Sequence, residues 1–454
     1  MKQLLPFVLF CICFSDLHAQ QEDSIFIRRL ADEILLNSKA YENLRVLTKS
    51  IGGRLAGSPQ MVKAEQWGLK AMQEAKADAA WMQECMVPHW IRGGKDMAIA
   101  RMPKSAPKML DVIALGNSIG SMKTLSAQVV EVSDFDDLER KKDSVKGRIV
   151  FYNYPFNKTY VRTFEAYRDA VKYRGQGPSR ASKYGAVAVI VRSMSHSTDN
   201  FPHTGSTSYA DSLPKIPAIA IGLQDADWLS RSLRSGKKLS VDMKTQGRFL
   251  PDTIGHNVIG EIKGSEFPNE YITVGGHLDS WDNCEGAHDD GAGCVQTIEI
   301  LRAFKAIGYQ PKRTIRFVLF ANEENGLRGG NKYAEEAKAK GEKHIFALES
   351  DAGGFTPRAI GFSGSPEQWK KVTEWRPLIA PYGADITAGG GGADIGPLNR
   401  LQQTPVGSLV PDSQRYFDVH HARNDVFEAV NKRELDLGAV NMAAFIYLVD
   451  KYGL

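Results

Sequence analysis

Cysteine is scarce in this 454-residue chain, which has five. Cys11 and Cys13 lie in the apolar N-terminal stretch and leave with it. Cys85, Cys284 and Cys294 remain, an odd number that permits at most one bridge. A disulfide-stapled scaffold is therefore excluded, and stability rests on an ordinary core. Charge of one sign is lacking too: 57 Lys and Arg against 53 Asp and Glu give a formal net charge of +4, with no clustered basic stripe. Nucleic acid is not an expected partner. The short runs Arg140-Lys141-Lys142 and Lys237-Lys238 read as solvated faces. After the N-terminus no apolar run is long enough for a membrane span, and there is no internal repeat or low-complexity tract. What remains is a globular composition, 43% hydrophobic and 24% charged, long enough for two domains.

Lys2, the apolar stretch Leu4–Phe14 and the small-residue end Leu17-His18-Ala19 read as a signal peptide over 1–20, so the chain is expected to be exported, periplasmic or secreted. Leu9-Phe10 ahead of Cys11 does not fit a lipoprotein anchor. Apolar spacing predicts a helix over Ile25–Lys49, broken by the turn Gly52–Pro59, and a second helix from about Gln60 to Asp78. Between 124 and 247 the texture changes to short β runs at 127–132, 148–152, 186–191 and 216–221, separated by glycines and charged turns. This segment reads as an inserted, non-catalytic domain. His196 and His203 fall in a polar loop there and read as surface residues. Alternating strands and helices resume after 247, with strands expected at 256–262, 271–274, 314–320 and 344–348, a helix at 293–306 and a last helix at 434–452. The fold class is α/β, a mostly parallel central sheet flanked by helices.

The chemistry collects at strand ends. Tyr271-Ile-Thr-Val stops at Gly275-Gly276 and delivers His277 and Asp279, with Asp289-Asp290 a turn-rich dozen positions on. Open α/β sheets place their ligands at that end of a strand, and an imidazole among carboxylates suits a zinc-like divalent metal. A polar loop capping a sheet edge fits the same residues. Three more strands end alike: 314–320 in Asn322-Glu323-Glu324-Asn325-Gly326, 344–348 in Glu349-Ser350-Asp351-Ala352-Gly353, and a C-terminal segment in Asp418-Val419-His420-His421. Four such clusters are hard to explain as helix caps, because adjacent carboxylates repel unless cations neutralise them. Cys284 reads as a bystander among hard ligands.

Taken together, Gly-Gly-His-Leu-Asp-Ser-Trp-Asp, the Asp289-Asp290-Gly pair, Asn-Glu-Glu-Asn-Gly, Glu-Ser-Asp-Ala-Gly and the late His-His resemble the di-zinc exopeptidases of peptidase family M28, in its carboxypeptidase Q branch. The resemblance implies an aminopeptidase-like (phosphorylase/aminopeptidase) sheet in two parts, 21–123 and 248–454, with 124–247 as a protease-associated insert. It implies two Zn2+ per chain: one held by His277 and Asp351, the other by Glu324 and His421, with Asp289 bridging. It implies Glu323 as general base toward a metal-bridging water, His420 as donor to the oxyanion, and Asp279 behind His277, orienting its other ring nitrogen. His421 is taken as the ligand because the family places an Asp four positions later, here Asp425. A short-peptide substrate and a homodimer are implied as well.

His288 reads as a loop histidine and Asp290 as a loop support. The run Gly389-Gly-Gly-Gly-Ala-Asp394 is either a mobile loop or a pocket wall with Asp394 facing a substrate amine, and Arg54 is within possible reach of a carboxylate. The rival readings are an aminopeptidase of the same fold, a glutaminyl cyclase with one zinc, and a non-catalytic receptor-like module. The last two are disfavoured by the intact set of five ligands and the base.

Overall fold

A computed structural model describes residues 5–454, with side chains from residue 21 onward; the expected leader, 1–20, falls outside the residues described in full. Two eight-stranded sheets carry the chain. The first contains β1 (Ala79–Ile91), β10 (Arg248–Ile262), β11 (Phe267–His277), β12 (Arg313–Phe320), β13 (Lys343–Glu349), β14 (Pro357–Ser363), β15 (Asp385–Ala388) and β16 (Val406–Pro411). Their spatial order is β1-β10-β12-β11-β13-β16-β14-β15. The central strands β12, β11, β13 and β16 are parallel. β1 and β10 flank them antiparallel on one side, and β14 runs antiparallel to β16 on the other. This is the α/β architecture expected from the sequence. The strands foreseen at 256–262, 271–274, 314–320 and 344–348 fall within β10 to β13. β14 and β16, interrupted by Pro, Gly and Ser, and the four-residue β15 were not foreseen.

Parallel strands form here because helices cover both faces. Thr314–Phe320 of β12 is buried at every position. Helix Ala292–Ala306 is buried on most of its surface, because it lies between the sheet and two more helices, Leu5–Asn37 and Lys432–Tyr452. The ends of these elements follow local chemistry. The helix foreseen from residue 60 starts at Pro59, capped by Ser58, whose side chain accepts from Met61 N. Asn431 caps the last helix by accepting from Arg433 N and Glu434 N. Asp23, 1% exposed, fixes the first helix to the last. Tyr447 Oη and Lys451 Nζ donate to its Oδ1 (2.8 and 2.5 Å) and Tyr452 Oη to its Oδ2 (2.6 Å).

The second sheet has the order β3-β2-β9-β5-β6-β7-β8-β4. Its strands are β2 (Met97–Arg101), β3 (Lys108–Leu110), β4 (Val112–Ala114), β5 (Leu125–Val132), β6 (Ile149–Tyr152), β7 (Ala188–Arg192), β8 (Ala218–Ile221) and β9 (Ser240–Lys244). Residues 97–114, assigned from the sequence to the first sheet's part over 21–123, form strands that pair here instead. The reason is the alternation of β2: buried Ala98 and Ala100 stand opposite Met243 and Val241 of β9, so each strand supplies the other's apolar cover. Among the described residues no helix is long and apolar enough to cross a membrane.

On the first sheet, Arg316 of β12 lies over the Tyr271 ring at 4.1 Å and donates to Glu342 through Nη1 (2.6 Å) and Nη2 (3.0 Å). Burial alone would raise the Glu342 carboxyl, but hydrogen bonds from His344 and Arg316 and the Arg316 charge bring it from 4.5 down to about 2. A carboxylate depressed in the folded state stabilises above its unfolded pKa and loses that contribution as pH falls through its folded one. Glu342→Gln is therefore expected to flatten the decline of the thermal midpoint between pH 4.5 and about 2, measured by circular dichroism, and to lower the midpoint at neutral pH.

Candidate active site

All four central strands deliver side chains at their carboxyl ends. β11 ends on His277. Glu323 and Glu324 follow β12, and Asp351 follows β13. β16 leads into the short helix Tyr416–Val419 and then His420 and His421. Asp289 enters from the connection between β11 and helix Ala292–Ala306, and its close approach depends on glycine. A Cβ on Gly276 would stand 2.4 Å from Asp290 Oδ2, and one on Gly293 2.0 Å from Ser350 O.

The five residues expected as ligands converge. Asp289 lies at the centre, with Oδ1 3.2 Å from His277 Nε2 and Oδ2 3.2 Å from His421 Nε2. His277 Nε2 is 3.4 Å from Asp351 Oδ1, and His421 Nε2 is 3.1 Å from Glu324 Oε2. Two donor atoms each about 2.1 Å from one cation at the tetrahedral angle stand about 3.4 Å apart, so each half of the cluster has the spacing of a coordination shell. Asp289 Oδ2 and Glu324 Oε1 are buried without a hydrogen-bond partner, which leaves both oxygens free to coordinate a cation. His420 and Asp290 also come close enough to be grouped with these donors. Asp290 is already occupied, since its Oδ2 accepts from His277 N (3.0 Å) and its Oδ1 from Gly293 N (2.9 Å). His420 Nε2 is 3.8 Å from Asp289 Oδ2, with its ring stacked on His421 at 3.6 Å.

The supports are mostly backbone contacts. His277 Nδ1 donates to the carbonyl of Asp279 (3.0 Å), while the Asp279 carboxylate stands 3.7 Å off. The contact behind His277 is made by the Asp279 main chain rather than by its carboxylate. Its carboxylate instead accepts from Glu323 N (3.0 Å) and Glu324 N (3.2 Å), holding the loop after β12. Asp425 does the same for the bridge, accepting from His288 N (2.8 Å) and Asp289 N (3.1 Å). Arg54 is fully buried and reaches no carboxylate. Its guanidinium donates to the carbonyls of Leu278 (2.5 Å), Glu285 (2.8 Å) and Gly286 (3.1 Å), clamping the loop that carries Asp289. His421 adopts φ +61°, the left-handed region that costs a non-glycine residue about 1–3 kcal/mol and persists only where its surroundings fix it.

Charge is badly balanced without cations. Burial, with the Asp289 charge behind it, raises Glu324 to about 7. Burial and the Asp351 charge raise Glu349 to about 8. Burial opposes the charged form of His421, yet Glu324 and the bonds to Asp289 lift it to about 10. Buried carboxyls pushed up by one another beside imidazoles pushed up by carboxylates are the imbalance that dications would relieve. Burial and the His421 charge keep His420 neutral.

Several expected positions differ. Asp394 faces no substrate: it is 0% exposed, both its oxygens lack a partner, and its N–H donates to Glu349 Oε2 (3.1 Å). The reason is Gly392, whose missing side chain lets the glycine-rich run fold in against Glu349. His203, read as a surface residue, is 3% exposed, because its Nδ1 donates to the His420 carbonyl (2.7 Å). His288 is buried rather than a free loop residue, stacked on Phe355 at 4.0 Å. Burial brings its pKa to about 4. Cys284 touches no expected ligand, and its Sγ lies 3.6 Å from Trp281 O. A cleft of about 890 Å³, lined among others by Lys108, Asp111, Asn283 and Arg423, opens between the two sheets beside the His421 loop.

Residues 257–446 match the model of peptidase family M28. Carboxypeptidase Q of Mus musculus is 34% identical over 416 residues, covering 91% of this chain and 86% of that protein, and the Homo sapiens protein is 34% identical at 91% and 85%. The crystal structure of a peptidase M28 precursor from Shewanella amazonensis superposes with a TM-score of 0.90 at 32% identity, covering 95% of this chain and 97% of that one. A zinc aminopeptidase from Bacillus subtilis shares the fold at 20% identity, with a TM-score of 0.66 over 90% and 94%. Likeness that runs through both sheets and through every strand end bearing an expected ligand leaves one conclusion: the chain belongs to peptidase family M28, in its carboxypeptidase Q branch.

Proposed function

We propose that the chain is an exported metallopeptidase that hydrolyses dipeptides or short peptides with two zinc ions, and that the second sheet belongs to a protease-associated insert. The observation that carries this reading is Asp289, whose two oxygens each face a histidine Nε2 at 3.2 Å, each histidine being paired with a further carboxylate. His277 and Asp351 would hold one ion, Glu324 and His421 the other, and Asp289 both. When bound, such ions supply Lewis acidity and lower the pKa of a water toward neutrality.

The chain's own groups do the rest. Glu323 has its N–H fixed by Asp279. Burial, with the charges of Asp351 and Glu324 behind it, raises its carboxyl well above 4.5 although His277 opposes. A carboxyl so tuned takes a proton from the attacking water and returns it to the leaving amine. Neutral His420, beside Asp289, is placed to donate to the oxygen on which charge develops. Asp279 and Asp425 keep base and bridge in register. A homodimer, as in the resemblance, is part of the same proposal.

Glu323→Gln is expected to lower kcat on dipeptides by about 10²–10⁴-fold while metal analysis still finds two zincs per chain; a variant that keeps its turnover refutes the assigned base. Chelation should abolish turnover, and zinc should restore it only as the second equivalent binds. Full recovery at one equivalent points instead to the single-zinc alternative. Assay of dipeptides against amino-acid anilides separates this reading from an aminopeptidase, which prefers the anilides.

A further inference from the structure

We infer that residues of the second sheet's domain position one of the two cation sites, that of Glu324 and His421, and leave the other to the first sheet alone. The inference rests on the two-cation reading above and deepens it.

The contacts are one-sided. On the His421 side the second domain presents a short edge of main chain, His203-Thr204, against His420-His421. His203 Nδ1 donates to His420 O (2.7 Å), and Thr204 N donates to His421 O (3.1 Å). His421 Nδ1, the ring nitrogen turned away from Asp289, lies 3.3 Å from its acceptor Thr204 O, and Arg174 Nη1 donates to the same carbonyl (3.3 Å) while standing 3.4 Å from the ring nitrogen, so both groups that face Nδ1 come from the second domain. A histidine that coordinates through Nε2 needs an acceptor at Nδ1 to fix tautomer and ring plane. For His277 that acceptor is Asp279 O, within the first sheet; for His421 it comes from the other domain. The carbonyl of left-handed His421 is shared: Thr204 N donates to it from the second domain and Asn283 Nδ2 (3.2 Å) from the first.

Glu324 is supported from the second domain as well. Asn117 and Asn325 are doubly linked: Asn325 Nδ2 donates to Asn117 Oδ1 (3.1 Å), and Asn117 Nδ2 donates to Asn325 O (3.4 Å). Asn325 immediately follows Glu324. Tyr167, on helix Thr163–Gly175 of the second domain, meets the His420 ring edge-on at 5.1 Å. By contrast, among the described residues no hydrogen bond or ion pair joins 97–244 to His277 or Asp351. Asp289 is shared, but its N–H is held by Asp425.

The two sites should thus have separable affinities, and loosening the contact between the domains should weaken only one. The test is calorimetric titration of zinc into the chelator-stripped full chain. Wild type is expected to take up two ions. His203→Leu, which loses the donor to His420 O, and Asn117→Leu, which loses both bonds to Asn325, should each keep one site at wild-type affinity and weaken the other by about 10–100-fold. His203→Asn, which keeps a donor at the Nδ1 position, should stay near wild type. If both sites weaken alike, or neither does in folded variants, the inference falls. Should the leucine variants fail to fold, hydrogen exchange on the unmodified chain decides. The Thr204 amide, bonded to His421 O, should slow with one equivalent of zinc and not the other; slowing alike with both, or with neither, overturns the assignment. A wild type that binds one zinc overturns the two-cation reading itself, a different failure from two zincs with undiminished uptake in both leucine variants.

Discussion

The site depends on one carboxylate held rigidly where water is nearly absent. Asp289 is 4% exposed and stands between imidazoles from β11 and from the segment after β16. A buried anion in that position is tolerable only with positive charge on both sides. The surroundings are organised to keep it there. Asp425 takes its N–H, Asp290 ties its loop back to His277, and Arg54 anchors the same loop by three carbonyls. A buried guanidinium satisfied by main-chain oxygens rather than by a carboxylate adds positive charge near an acid-rich cluster without neutralising any ligand.

The parallel centre of the first sheet makes this convergence possible. Four neighbouring strands pointing one way bring four connections to one rim, so residues more than a hundred positions apart need only stand at the right strand end. The second sheet closes the rim from outside. Its contribution is made of the main chain of Thr204 and the side chains of His203, Asn117 and Arg174 rather than ligands, so it adds order, with the Arg174 guanidinium as the charge among them.

Much of this was legible in the sequence, and the limits are physical. Ligand candidates announced themselves because acidic and imidazole side chains follow apolar strands in β11, β12 and β13, and a second such pattern precedes His420-His421. The strands β14 and β16 were not foreseen, since Pro357, Gly361 and Gly407 interrupt the apolar texture that marks a strand, and β15, Asp385–Ala388, is too short to show one. Asp279 was placed behind His277, but its working atom there is a carbonyl, which every residue possesses and no sequence advertises. Thr204 was missed for the same reason. His203 and Asp394 were misread because burial is decided by tertiary approach: His203 by the His420 carbonyl, Asp394 by a glycine that lets the loop collapse. Arg54 sits in a turn whose partners lie more than two hundred positions away.

One contact bears on how the molecule comes into being. Asp23 accepts three hydrogen bonds from the helix that ends at Tyr452, a pairing across 424 positions for its bond to Tyr447. Such a long-range closure can form only after the far end of the polypeptide has been made, and contacts of that separation slow folding. The helix that carries Asp23 must wait for the helix that carries Tyr447, Lys451 and Tyr452.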